Sequence, residues 1–141
     1  VGASEGLRIK VILDANFLIE MAKGNIAPSM IDEAISYGYE LLTTTNVVDE
    51  LSEMAMHGDE LSKRASEAAI IIRRLNVKVV STAAVNGDES IVKLAGDLKA
   101  SGNAVVVATL DKELRRRLRK EGVPCLTVRG RGKRLELSWT V

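Results

Sequence analysis

The sequence predicts an α/β fold with a mainly parallel sheet covered by helices on both faces. Two observations carry this: apolar runs that are short, β-branched and nearly continuous, and helical segments that alternate with them. A third observation is size. The 141 residues, 46% of them hydrophobic, suffice for a core that needs no disulfide or metal staple. One domain spanning residues 1–141 is therefore expected. Aromatic residues make up only 3%, so aliphatic side chains have to fill that core.

The elements follow in chain order. Residues 9–13 (IKVIL) read as the first strand, residues 40–42 as a weaker one, and residues 77–80, 104–108 and 124–128 as three more. Each lacks the polar alternation of a half-exposed strand, as burial on both faces requires. Helical spacing covers residues 17–23, 29–37, 47–57, 59–75, 89–100 and 112–121. The tail KRLELSW alternates weakly and fits an edge strand.

Composition narrows the chemistry. The single cysteine, Cys125, cannot form an internal disulfide, and one cysteine with one histidine, His57, excludes a thiolate or imidazole zinc site. His57 precedes Gly58 at a helix end, where a cation suits the helix dipole, so a structural role is expected. Trp139 is assigned to packing of the tail or to a subunit contact. No apolar run approaches the length of a membrane span, and the opening VGASEGLRIK lacks the layout of a signal peptide. A cytoplasmic protein is the expectation.

The net charge of +1 conceals a division. Residues 1–70 hold 5 Lys/Arg against 12 Asp/Glu, residues 71–141 hold 15 against 7, and residues 112–134 alone carry 10 basic side chains. An acidic centre beside a basic flank suits a metal-dependent enzyme acting on a polyanion.

In open parallel sheets ligands gather beyond the carboxyl ends of the strands, and acids fall there. Asp14 ends the first strand, and Asp111 follows AVVVA after Thr109 and Leu110 and opens the helix KELRRRLRKE. Asp88 begins the helix after VKVV and its loop, and Glu50 lies in the first turn or so of the helix after LLTTT. With about 100° of rotation per residue, Glu50 borders the apolar face of Val47, Val48, Leu51, Met54 and Ala55, while Asp49 and Glu53 point away. Asp49, three residues after Asn46, suits a role at the helix start. The same construction places Asp88 at the border of its helix and Glu89 and Asp97 toward solvent. Helix capping accounts for Asp14, Asp88 or Asp111 taken singly. It does not require Asp14 to follow a buried strand or Glu50 to face inward. Clustered carboxylates raise one another's pKa unless a cation joins them, and a divalent metal is the simplest remedy.

The set VILDANFLIE, NVVDELSEMA, GDESIVKLA and VVVATLDKELRRRLRK resembles the PIN-domain ribonucleases, and with VPCLTVRGRGKRLEL it resembles archaeal PIN proteins similar to rRNA-processing endonucleases. The resemblance implies a three-layer α/β/α sandwich, a Mg²⁺ or Mn²⁺ site, and hydrolysis of single-stranded or ribosomal RNA to 5′-phosphate and 3′-hydroxyl ends. The family's acidic quartet falls on Asp14, Glu50, Asp88 and Asp111, which are the expected catalytic and metal-binding residues. Asn16 and Thr109 match the polar residues that orient them. The one departure is Leu110, where the family commonly carries asparagine; the polar surroundings of Asp111 turn on what replaces that amide.

Arg115, Arg116, Arg119 and Lys120 on the last helix, with Arg129, Arg131, Lys133 and Arg134 around the RGRGK segment, are the expected RNA contacts; a solvated helix face explains the first group equally well. Besides RNA and a divalent metal, the expected partners are a second copy of the chain, an antitoxin or a ribosome-assembly factor. Two variants of the reading stand beside the endoribonuclease: the toxin of a toxin–antitoxin pair, and an RNA-binding assembly factor that no longer cleaves. A phosphoaspartyl receiver or phosphatase is disfavoured, because Asn16 stands where such a phosphatase needs a second acid and no lysine follows CLTV.

Overall fold

The computed structural model describes residues 8–129 and 134–138. In chain order the elements are β1 (Ile9–Leu13), α1 (Ala15–Ala22), α2 (Pro28–Ala34), β2 (Tyr39–Thr44), α3 (Thr45–Met54), α4 (Glu60–Arg74), β3 (Lys78–Val80), α5 (Gly87–Ala100), β4 (Val105–Ala108), α6 (Lys112–Lys120), β5 (Cys125–Arg129) and β6 (Arg134–Ser138). The six strands form one sheet in the order β3-β2-β1-β4-β5-β6. All neighbours are parallel except β5 and β6, which pair antiparallel.

This order follows from crossover connections that each carry one or two helices. From β1 the chain steps outward through β2 to β3, then returns across the sheet to β4 and continues to β5. Right-handed connections in opposite directions put their helices on opposite faces. The packing agrees: α1, α3 and α4 lie against one another, and α5 packs on β4 and on α6. Strand residues alternate between the faces, yet Val11, Ile12 and Leu13 in β1 and all of Val105–Ala108 in β4 are buried. Both faces are therefore covered, which makes the three-layer α/β/α sandwich.

The predicted elements are all present, and the differences have local causes. β2 runs two residues past the expected 40–42 because Thr43 and Thr44 are fully buried there with satisfied hydroxyls. Thr43 Oγ1 donates to Leu13 O at 2.7 Å. α2 stops at Ala34 instead of residue 37: Ile35 is extended (φ −119°), and Tyr37, 71% exposed, buries nothing that would prolong the helix. α3 begins at Thr45 and ends at Met54, ahead of the expected 47–57, since Thr44 caps it by accepting from Val47 N at 3.1 Å. The Asn46 start is thereby corrected. Asn46 instead donates to Ala84 O and accepts from Thr82, tying α3 to the loop before α5. The tail supplies β6 as expected. Trp139, Arg131 and Lys133 lie outside the described residues. No helix among the described residues is long and apolar enough to cross a membrane.

Phe17 of α1 is fully buried, whereas Ile70 on α4 is 49% exposed. Urea denaturation of Phe17→Ala is expected to show a loss of about 3–5 kcal/mol, against no more than ~0.5 kcal/mol for Ile70→Ala.

Candidate active site

The sheet changes direction between β1 and β4, and a crevice at the carboxyl ends of the strands is the consequence of such a switch. Five of the six buried polar or charged side chains among the described residues gather near it: Asp14, Thr43, Thr44, Ser90 and Thr109. The sixth, Ser62, belongs to the capping box of α4.

Asp14 is the floor. Its backbone N–H continues the ladder to Ala108 O at 3.0 Å, and its side chain is only 4% exposed. Oδ1 accepts from Ala15 N at 2.8 Å, capping α1, and Oδ2 accepts from Thr109 Oγ1 at 2.6 Å. Burial pushes its pKa above the usual carboxylate value. The two hydrogen bonds pull it down, and the charges of Asp88 and Asp111 push it up again.

Asp111 caps α6, accepting from Glu113 N at 2.9 Å and Leu114 N at 3.2 Å, both on Oδ1. Its own N–H donates to Thr109 Oγ1 at 3.1 Å. Asn16 Oδ1 accepts from Leu110 N at 3.0 Å. The chain therefore meets the departure at Leu110 with its backbone, and the polar frame around Asp111 stands without a side-chain amide there.

Glu50 and Asp88 stand at the rim, and both are exposed to solvent. Desolvation, then the charges of Asp14 and Asp88, raise the pKa of Glu50. Desolvation and Asp111 raise that of Asp88, while Arg117 lowers it. Asp88 is not the cap of α5: Asn86 accepts from Glu89 N at 2.9 Å, and Asp88 follows two positions later. Capping leaves Asp88 unexplained, whereas Asp14 and Asp111 are both caps and both members of the cluster. Glu50 does not turn into the core; it lines an open cavity of about 350 Å³ with Asn46, Asp49, Glu53, Val85, Asn86 and Gly87. Asp49 and Glu53, expected to point away, share that cavity.

The structure thus brings Asp14 within range of the charges of Asp88 and Asp111, Asp88 within range of Asp111, and Glu50 within range of Asp14 and Asp88. Among the described residues, no three His, Cys, Asp or Glu side chains form a group that could hold a metal ion as placed. Carboxylates without a counter-ion repel one another, so a closed cage is not their resting arrangement. The donor set itself, carboxylate oxygens with no sulfur or imidazole nearby, fits a hard divalent cation.

The basic helix divides by direction. Arg115 reaches back to Thr127 on β5 at 3.3 Å, and its charge and that of Arg119 reach Cys125, whose thiol burial pushes up to about 11. Arg116 and Lys120 are exposed; Arg116 pairs with Glu113 at 2.9 Å. Arg129 pairs with Glu136 at 2.7 Å, and Arg134 is exposed. The cation on the acidic side is Arg117, which pairs with Glu89 of α5. Sequence reasoning passed over Arg117, and also over Thr44, Ser90 and Gly87. A 100° wheel placing Leu114 and Leu118 inward leaves Arg117 beside the stripe, and that was the available signal. The others had none, since each is defined by a partner remote in the chain.

Comparison with known proteins bears on the family and the fold. The family model described as a PIN like domain matches residues 11–131. The chain is 30% identical over 122 residues to Ribonuclease VapC4 of Methanocaldococcus jannaschii, which covers 85% of this chain and 90% of that protein. The structure is similar to that of the PIN domain endonuclease Utp24, with a TM-score of 0.74 over 94% of this chain and 92% of the other, at 22% identity. The last similarity bears on fold alone. On the extent of the family match and the identity to the ribonuclease, the chain belongs to the PIN-like domain family.

Proposed function

We propose that the protein is a metal-dependent endoribonuclease, with Asp14, Glu50, Asp88 and Asp111 as its catalytic acids and single-stranded RNA, ribosomal RNA foremost, as its substrate. The observation that carries this is the convergence of four acids from four elements at the topological switch, close enough that the charge of one raises the pKa of another. A chain selected for stability alone would not keep them there. The ribonuclease relative supports the reaction class.

Asp14 and Asp111 would hold Mg²⁺ or Mn²⁺, directly or through water, and Glu50 and Asp88 would position water or a second ion. Asp111 has an oxygen to offer, because both of its capping bonds fall on Oδ1. Bound there, the ion supplies Lewis-acid stabilisation of charge on the scissile phosphate and a lower pKa for water. The chain's own residues do the rest. Thr109 and Ala15 fix the orientation of Asp14, and Asn16 holds the Leu110 backbone so that Asp111 faces the same space. Glu50 and Asp88, with raised pKa values, would take the proton of an attacking water. The water oxygen bonds to phosphorus in line with the breaking P–O3′ bond, leaving a 5′-phosphate and a 3′-hydroxyl.

The toxin and the non-cleaving assembly factor remain the alternatives of role. An antitoxin encoded beside the gene would favour the first. The second requires that purified protein leave RNA intact in Mn²⁺.

The proposal predicts that Asp14→Asn abolishes Mn²⁺-dependent cleavage of single-stranded RNA while still binding it in a gel-shift assay. Cleavage equal to that of the parent protein, in a preparation free of contaminating nuclease, removes Asp14 from the mechanism.

Acid repulsion also has a thermodynamic signature. Raised folded-state pKa values mean that the folded protein holds protons already released by the unfolded chain. These groups therefore destabilise the fold increasingly as pH rises from about 4 through their folded values. In metal-free buffer at pH 7, Glu50→Gln, which removes one raised carboxylate at the solvent-exposed rim, is expected to melt at a higher temperature than the parent, with the gap closing toward pH 4. Saturating Mn²⁺ should narrow or reverse the difference, because the parent gains more from binding. Calorimetry across pH with and without Mn²⁺ reads both effects.

If Arg116 and Lys120 meet phosphates, replacing each with alanine lowers the slope of log K against log [salt] by about 1. An unchanged slope in fluorescence titrations removes that helix face from the RNA path.

A further inference from the structure

We propose that Gly87 is a positioning residue for the acidic site: the lack of a side chain there leaves room for the Glu50 carboxylate against the first turn of α5, which carries Asp88. The proposal rests on the nuclease reading above. Gly87 is buried at the first position of α5, in a helical conformation open to any residue. Backbone conformation therefore does not demand glycine, and space does. A Cβ at this position would lie 2.7 Å from Glu50 Oε1 and 3.8 Å from Val47 Cγ2. The first distance is a collision and the second an ordinary contact.

Which partner gives way is decided by what holds each. α3 and α5 are tied by the buried Thr44–Ser90 hydrogen bond at 2.7 Å, and Ser90 Oγ donates to Gly87 O at 2.6 Å. Asn46 adds its bond to Ala84 O at 3.1 Å. The backbone of residue 87 is fixed on both sides, and Val47 is fully buried. The Glu50 side chain ends in solvent and can swing. Any residue larger than glycine displaces the carboxylate and leaves the helices in place. The displacement takes the Glu50 carboxylate out of the place it holds against the first turn of α5, the turn that carries Asp88.

The test uses the full chain and four variants: Gly87→Ala, Glu50→Gln, their combination, and Asp14→Asn as reference. Mn²⁺ affinity is read by electron paramagnetic resonance, cleavage on single-stranded RNA, and stability by thermal unfolding without metal. Gly87→Ala is expected to unfold at the same or a higher temperature, alanine being the better helix former. It should bind Mn²⁺ about 10–100-fold more weakly and cleave correspondingly more slowly. In the double variant Gly87→Ala should add nothing to the loss from Glu50→Gln, because both act through one carboxylate. Parental Mn²⁺ affinity in Gly87→Ala, additive losses in the double variant, or a lowered unfolding temperature each overturn the proposal and leave the nuclease reading standing. Parental cleavage by Asp14→Asn overturns that reading, and this proposal with it.

Discussion

A carboxylate only 4% exposed at the end of a strand buried on both faces has to be held by partners, and the hydrogen bond from Thr109 to Asp14 is the contact on which the site depends. Leaving a buried polar group unpaired costs about 1–3 kcal/mol, more for a charge. Asp14 meets that cost with two short bonds, one from its own helix and one from 95 residues away. The oxygen of Thr109 then accepts from Asp111 N, and Asn16 accepts from Leu110 N. The ends of β1 and β4 are laced into one unit in which no acid can shift without disturbing the other. Because the chain crosses the sheet between β3 and β4, these two strand ends are neighbours despite their separation in sequence, at the kind of switch where open parallel sheets gather ligands.

The rim is built on a different principle. Thr44 and Ser90 are buried hydroxyls that bond each other and fix α3 against α5, while the acids they support remain open to water. The floor is therefore rigid and the rim adjustable. This suits a site in which two carboxylates have fixed directions and two others must accommodate substrate, water or a second ion.

How much of this was legible in the sequence depends on whether a residue carries its reason locally. β1 and β4 were legible because continuous aliphatic runs have few other uses. The positions of Asp14 and Asp111 were legible because they end such runs; the helical wheel did not set Glu50 apart, since Asp49 and Glu53 share its cavity. Thr43 and Thr44 read as loop, since a hydroxyl is polar until its partner is known, and their partners are Leu13 O and Ser90. Asn46 fitted a cap by spacing and is engaged elsewhere. Gly87 looked like part of a turn, and only the position of Glu50 on another helix gives it meaning.

The division of charge along the chain also changes character once folded. Arg116 and Arg129 pair with Glu113 and Glu136 at exposed positions, where an ion pair is worth roughly 0–1 kcal/mol. Such pairs add little to stability, and under the proposed function exchange of the carboxylate for an RNA phosphate would cost little. Arg117 differs in direction. Its partner Glu89 adjoins Asp88, and its charge is felt there. It thus offsets part of the repulsion among the acids, and among the described residues no cation acts on Asp14 or Glu50 in the same way. Under the proposed function, a site neutralised at a single edge would keep an excess of negative charge for a divalent ion, at a cost borne by the aliphatic core beneath it.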